Sequence, residues 1–260
     1  MLFNFNLRPL DQVSLWGGPG KRSLHWFGLT DGEYWIDAGA ERLFEHAEGF
    51  SRKHEGHRHL DYFVVRLHED LLEILPKALE PVPPDLVQYI SGERGRSWNA
   101  RLSEWSDSAI DVLGDDLYWK IYEGASGWIW ERDLNLSYLS HCPGLRIWSA
   151  PELVHIEWNG WGVLVDGEAV WSASTGSFDL PRARFEAEVR DFDARLMQQM
   201  AQRVELMQHG PINRDLEIDL VGLEREQGER SHKLDAAFAA VSDTRNWQAV
   251  REAIAQTECS

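Results

Sequence analysis

Cysteine is almost missing from this chain. Its 260 residues hold two, Cys142 and Cys259, far apart and without CxxC spacing, which excludes a disulfide framework and leaves two free thiols as the expectation. Long apolar runs are missing as well. None approaches the roughly 20 residues that cross a bilayer, and the opening Met1-Leu2-Phe3-Asn4-Phe5-Asn6-Leu7-Arg8-Pro9 has no basic head before an apolar stretch. A membrane role is not expected, and a cytoplasmic location is. Positive charge is scarce: 26 Lys and Arg face 43 Asp and Glu, for a net charge of −17. Binding a nucleic-acid backbone requires Lys and Arg to displace counterions, so the balance points away from nucleic acid and toward a basic protein partner. Nucleotide and nucleophile-elbow signatures are lacking too. Gly17-Gly18-Pro19-Gly20 has no Lys-Ser/Thr partner to cradle a phosphate, and no cofactor is implied.

Tryptophan, by contrast, is abundant, with 13 in the chain and nine between Trp98 and Trp171. The acid is concentrated there too, since residues 61–180 carry −12 of the −17. At 43% hydrophobic and 27% charged residues the composition is that of a folded protein large enough for one large or two small cores.

Hydrophobic spacing sets the expected elements. Phe3, Phe5 and Leu7 alternate with polar residues, as a first strand ended by Pro9. Leu24 to Asp37 reads as a β-hairpin turning at Asp31-Gly32, because Asp-Gly tolerates the positive φ of tight turns. Glu41 to Glu48 reads as a short helix, and 51–59 as an exposed loop. From Asp61, which is placed to cap, Val64, Leu67, Leu71 and Ala78 predict an amphipathic helix ended or kinked by Pro76. Another opens at Pro84 over Asp85 to Ile90. The 91–140 stretch reads as helical pieces broken at Gly92, Gly114, Gly124 and Gly127. Strands return at 145–148, 153–158, 161–165, 168–172 and 177–180. Phe185, Val189, Phe192, Leu196, Met200 and Val204 then mark a long helix from Pro181 to His209-Gly210-Pro211, with further helices over 219–240 and 246–256. The fold class is α+β: an antiparallel sheet of about five to seven strands covered by helices, with a helical C-terminal third. Residues 1–260 read as a single unit, with 181–260 as a candidate helical sub-region.

The order of motifs resembles a bacterial family of uncharacterised proteins, a domain of unknown function. Leu7-Arg8-Pro9-Leu10, Leu24-His25-Trp26-Phe27-Gly28-Leu29-Thr30-Asp31-Gly32, Asp61-Tyr62-Phe63-Val64-Val65-Arg66-Leu67 with Glu69-Asp70-Leu71-Leu72-Glu73, and Arg190-Asp191-Phe192-Asp193-Ala194-Arg195-Leu196-Met197 carry the likeness. It implies a single bacterial cytoplasmic unit and brings no activity or site with it.

Several clusters hold chemistry-bearing residues. His54, His57 and His59, with Asp61 and His68 near in sequence, form a metal-like group, but neither thiolates nor an HExxH pair accompany them, and they read instead as a solvated His-rich loop. No metal site is assigned. Arg66, Glu69, Asp70 and Glu73 read as the polar face of the Asp61 helix, and Asp191 with Arg195 as an ordinary surface pair. His25 in the hairpin reads as satisfied within the strand pair, or as a ligand-orienting group. The main candidate is 98–133, where aromatics alternate with acids. Trp105, Asp107, Asp111, Asp115, Asp116, Trp119 and Glu123 suit a protein-binding surface, since aromatic anchors supply contact area and carboxylates steer a basic partner. The competing reading buries the tryptophans and leaves the acids as solvated helix faces. Two functions follow as expectations. One is a non-enzymatic, acidic protein-binding module of the immunity or antitoxin type, directed at a basic bacterial toxin. The alternative is a hydrolase-like enzyme using His25, Asp31 or the Asp61-helix carboxylates in a Trp-lined cleft.

Overall fold

A computed structural model describes residues 1–18, 22–54, 56–160, 162–209 and 216–258. Parts of the expected elements fall outside that range: Pro19 and Gly20 of the glycine-rich loop, Glu55, Trp161, the Gly210-Pro211 stop and Cys259. The strands are β1 (Phe3–Leu7), β2 (Arg22–Ser23), β3 (Asp31–Ala38), β4 (Glu41–Leu43), β5 (Leu60–Phe63), β6 (Gly144–Ser149), β7 (Leu153–Asn159), β8 (Leu164–Val165), β9 (Glu168–Ala169), β10 (Thr175–Pro181) and β11 (Leu216–Glu217). The helices are α1 (Glu48–Lys53), α2 (Val64–Ala78), α3 (Val87–Ile90), α4 (Gly92–Ala109), α5 (Asp115–Trp130), α6 (Arg182–Gln208), α7 (Leu220–Arg230), α8 (Lys233–Ala239) and α9 (Trp247–Glu258). The class is α+β, with helices through the C-terminal third.

Two antiparallel sheets carry the fold. In the first, β1 lies along one edge of β3 while β5 and β4 share the other; the second runs β10-β7-β6. Two short pairs, parallel β2–β11 and antiparallel β8–β9, complete the strands. Both sheets turn an apolar face toward α2 and α6. On α6 the expected stripe of Phe185, Val189, Phe192, Leu196, Met200 and Val204 is buried throughout, and Phe192 stacks on Phe3 at 5.6 Å. Each such side chain stabilises the fold by about 1.5–3 kcal/mol through removal from water.

The hairpin at 24–37 does not form. Leu24 to Phe27 lie outside the strands, residues 28–30 make a 3-10 turn, and β3 begins at Asp31. Gly32 is instead a point of close approach, since a Cβ there would sit 2.2 Å from the Asn6 carbonyl oxygen of β1. The Asp-Gly step therefore serves strand pairing rather than a turn. Trp26 and Leu29, fully buried, explain the apolar density that suggested a strand.

Other boundaries also move. Residues 41–48 hold β4 and the start of α1, not a helix, and Asp61 lies in β5, where it binds Arg8 (2.5 Å) rather than capping α2. Pro76 sits inside the last turn of α2, and the helix ends two residues beyond it at Ala78, as a residue that lacks the backbone donor and crowds the preceding turn would favour. Gly92 and Gly114 flank helices as expected, but Gly124 and Gly127 lie within α5. Gly124 is the contact with α9: a Cβ there would come within 3.0 Å of the Ala253 Cβ.

Burial falls into two clusters. The larger lies between the sheets, α2, α6, α7 and α8. The smaller gathers α3, α4, α5 and α9 around Trp98, Trp128 and Trp148, the last reaching in from β6. So α9 leaves its sequence neighbours and packs on α5. A buried ion network joins the two regions: Arg132 Nη2 donates to the Glu80 carboxylate at 3.1 Å, and Arg245 Nε to the same carboxylate at 2.8 Å.

Candidate functional site

Residues 110–114 turn the chain from α4 into α5, and the predicted surface is built at this corner. Trp105, Tyr118 and Tyr122 line the helices there: Trp105 and Tyr118 stack at 5.8 Å, Tyr118 and Tyr122 at 5.7 Å. The Tyr118 hydroxyl bonds Ser106 Oγ at 2.6 Å, which ties the two helices together. Trp105 is therefore a support, only 6% exposed, as Trp98 and Trp128 are core at 1% each. Trp119 projects from this stack, 50% exposed, and Ile110 at 49%, Val112 at 80% and Leu117 at 48% are exposed in the same stretch of chain. Four large apolar side chains held in water are an unusual cost for a surface turn.

Asp107, Asp111, Asp115, Asp116 and Glu123, from the same stretch, are all exposed. Among the described residues none of the five makes an ion pair or a side-chain hydrogen bond, and Lys120 is the one cation between Trp105 and Glu123. Asp115 and Asp116 also occupy the first turn of α5, whose Gly114 start has no capping side chain. There they complement the helix dipole by about 0.3–1 kcal/mol each. The structure thus divides the aromatic-and-acid stretch: three tryptophans are core, while Trp119, Trp130 (46% exposed) and the carboxylates face solvent.

The histidine segment is not the solvated loop that composition suggested. His57 bridges two carboxylates, Glu33 at 3.0 Å and Asp61 at 3.3 Å. His59 is buried, stacked on Trp35 at 4.1 Å, and burial lowers its pKa despite Glu33 at 3.5 Å. Among the described residues no group of three or more His, Cys, Asp or Glu is arranged to hold a metal ion. His68 is buried against Asp193 at 2.8 Å.

Nor is Asp70 on a solvated helix face. It is 4% exposed and accepts the Tyr138 hydroxyl at 2.8 Å, and burial pushes its carboxyl up to about 6. Arg66 pairs with Glu69 at 3.3 Å rather than with Asp70. Two of the residues named for the hydrolase-like alternative lie apart in their bonding: His25 is exposed and bonds Ser23 at 3.2 Å, whereas Asp31 holds Arg8 at 3.0 Å. Asp191 and Arg195 form the surface pair expected of them, at 2.8 Å.

Two cavities escaped the reading by motif. One, of about 300 Å³, is ringed by His46, His54, His141, Tyr62, Tyr138 and Trp171. The other, of about 500 Å³, opens where α4 meets the Gly144–Asn159–Thr175 end of the second sheet. Its walls include Arg96, Asn99, Arg146 and Glu157. Arg146 is fully engaged, by Asp133 at 2.6 and 2.9 Å and by the Ile90 carbonyl at 3.1 Å. Burial pushes the Asp133 carboxyl upward while Arg146 opposes it. The signal that would have found this site is the alternation of β7, which puts His155, Glu157 and Asn159 on one polar face opposite Trp148, Arg146 and Gly144 of β6.

The model of a family of unknown function, DUF5984, matches residues 2–253. The chain belongs to that family. The DUF5984 match runs from before β1 into α9 and so includes the larger buried cluster, all of the smaller one but Ile254, the α4–α5 corner and both cavities. No curated protein and no solved structure matches the chain. Among the described residues no helix is long and apolar enough to cross a membrane.

Proposed function

We propose that the protein is a non-enzymatic binding module whose α4–α5 corner docks a basic protein, in the manner of an immunity or antitoxin-type inhibitor that occludes a basic toxin or nuclease. One observation carries this reading: Ile110, Val112, Leu117 and Trp119 stay between 48% and 80% exposed in the same turn-and-helix stretch as five exposed carboxylates that have no partner within the described chain. Apolar anchors among groups of one charge sign match a partner with apolar pockets rimmed by Lys and Arg. Five like charges repel a second copy of the corner, so self-association is disfavoured. The Trp105–Tyr118–Tyr122 stack beneath holds Trp119 in place and lowers the entropy lost on docking. The net charge of −17 extends the field that draws a cation-rich surface in.

The test is a pull-down from the native cell with the tagged protein and with the triple variant Asp111→Lys, Asp115→Lys, Asp116→Lys, at low and high salt, read by quantitative mass spectrometry. Retention of a basic protein by wild type at low salt, and its loss with the variant, supports the reading. Identical retention by both proteins refutes the corner as the docking site.

The hydrolase-like alternative draws on the ring-lined cavity of about 300 Å³, which brings three histidines beside Tyr62, Tyr138 and Trp171. Hydrolysis of a model ester that is abolished in His54→Ala would favour it over the binding reading. Its sequence-predicted residues His25 and Asp31 do not line that cavity.

A further inference from the structure

We infer that the cavity of about 500 Å³ between α4 and the end of the β10–β7–β6 sheet binds a small zwitterion of the amino-acid class, its carboxylate at Arg96 and Asn99 and its ammonium at Glu157. The volume falls within the range of small-molecule pockets, which hold a few placed polar groups on a largely apolar wall. Here Ile90, Leu134, Leu145 and Trp158 supply that wall.

The charged lining divides into spent and unspent groups. Arg146 and Asp133 neutralise each other and leave nothing over. Glu157 is half spent: its Oε1 accepts Ser91 Oγ at 2.5 Å and Trp148 Nε1 at 3.1 Å, which fixes the carboxylate, while Oε2 has no partner among the described residues. Arg96 makes no ion pair and the Asn99 side chain no hydrogen bond among the described residues, although both line the same space. Opposite charges left on the walls of one cavity without pairing each other are arranged for a ligand that carries both. An oriented carboxylate suits an ammonium with its several donors, and a free guanidinium with a neighbouring amide suits a carboxylate, which Arg can bind through two parallel hydrogen bonds. A ligand with one charge would satisfy one wall and desolvate the other without compensation. This site is separate from the α4–α5 corner and is independent of the protein-binding reading.

The test is thermal-shift and calorimetric titration of the full chain with the twenty free L-amino acids, using n-alkylamines and n-alkyl carboxylates as single-charge controls. Arg96 is exposed and unpaired, so Arg96→Ala leaves folding intact; Glu157→Gln keeps an oxygen for Ser91 and Trp148. At least one amino acid is expected to raise Tm while the single-charge controls do not. Each substitution is expected to weaken its affinity about tenfold or more, the worth of one charge-assisted contact. No shift with any amino acid, an equal shift with the single-charge controls, or binding unchanged in either variant would overturn the inference.

Discussion

Removing the Glu80 carboxylate exposes how much the second buried cluster depends on one charge. Glu80 is 1% exposed and lies between two guanidinium groups, Arg132 at 3.1 Å with no exposure of its own and Arg245 at 2.8 Å. Arg132 is further held by the carbonyls of Trp128 and Glu80, and burial brings its pKa down to about 10, so it stays charged at neutral pH. Arg245 also pairs with Glu131, and both guanidinium groups lie over the Trp247 ring that opens α9, at 5.7 and 5.5 Å. In Glu80→Ala the Arg132 charge stays buried with only carbonyl acceptors, and Arg245 keeps Glu131. Breaking one side of a buried pair costs about 3–5 kcal/mol, a large share of a typical total of about 5–15 kcal/mol. Urea denaturation followed by tryptophan fluorescence measures it, and hydrogen exchange should show α9 opening first. Glu80→Gln keeps an acceptor oxygen and should lose less. Glu80→Leu with Arg132→Met, which removes both charges, should recover most of the loss. A loss under about 1 kcal/mol in Glu80→Ala, or a double variant no better than the single one, would refute the claim that this network pins α9 to α5.

Three further outcomes are expected. Because burial raises the folded pKa of Asp70 from 3.8 to about 6, ionising it opposes folding, and that penalty is absent below the unfolded value and complete above the folded one. Asp70→Asn should therefore gain stability relative to wild type as pH rises from about 4 to 6, levelling off above that at no more than about 3 kcal/mol; a difference that does not change with pH, in paired urea titrations, contradicts it. Gly32→Ala forces a Cβ to within 2.2 Å of the Asn6 carbonyl oxygen, and should destabilise the β1–β3 pair by about 3 kcal/mol or more, read as a lowered urea midpoint. Trp119→Ala, at a 50% exposed position, should change stability by only about 0.5 kcal/mol while slowing or abolishing partner capture.

Periodicity made much of the architecture legible. The α6 stripe, the alternation of β1 and the β6–β7 pair are local patterns; the α6 stripe and Phe3 and Phe5 of β1 are buried as their spacing demands, although Asn4 between them is buried too. What misled was local chemistry overruled by distant contacts. Asp31-Gly32 has the composition of a turn, yet Gly32 is needed where β1 crosses close; Asp61 has the form of a cap, yet Arg8 claims it. Asp70 sits one helical turn from Arg66, but the aromatic lid of Tyr138 encloses it, and nothing within α2 announces that. At the corner, the acids and the aromatic density were readable, while which tryptophans face water was set by the α9 packing and the Tyr118 stack. The cavity at Glu157 was hidden because its walls come from α4, β6, β7 and β10, which no single stretch of sequence displays.

The central claim is that the α4–α5 corner recruits a basic partner by charge and anchors it by apolar contact. Its most direct test is the association rate of the captured partner with wild type and with the Asp111→Lys, Asp115→Lys, Asp116→Lys variant, across ionic strength. Reversing three charges should slow association by about tenfold or more at low salt and flatten its salt dependence, since steering is worth about 10–10³ in rate. Equal rates and equal salt slopes for the two proteins would contradict the account.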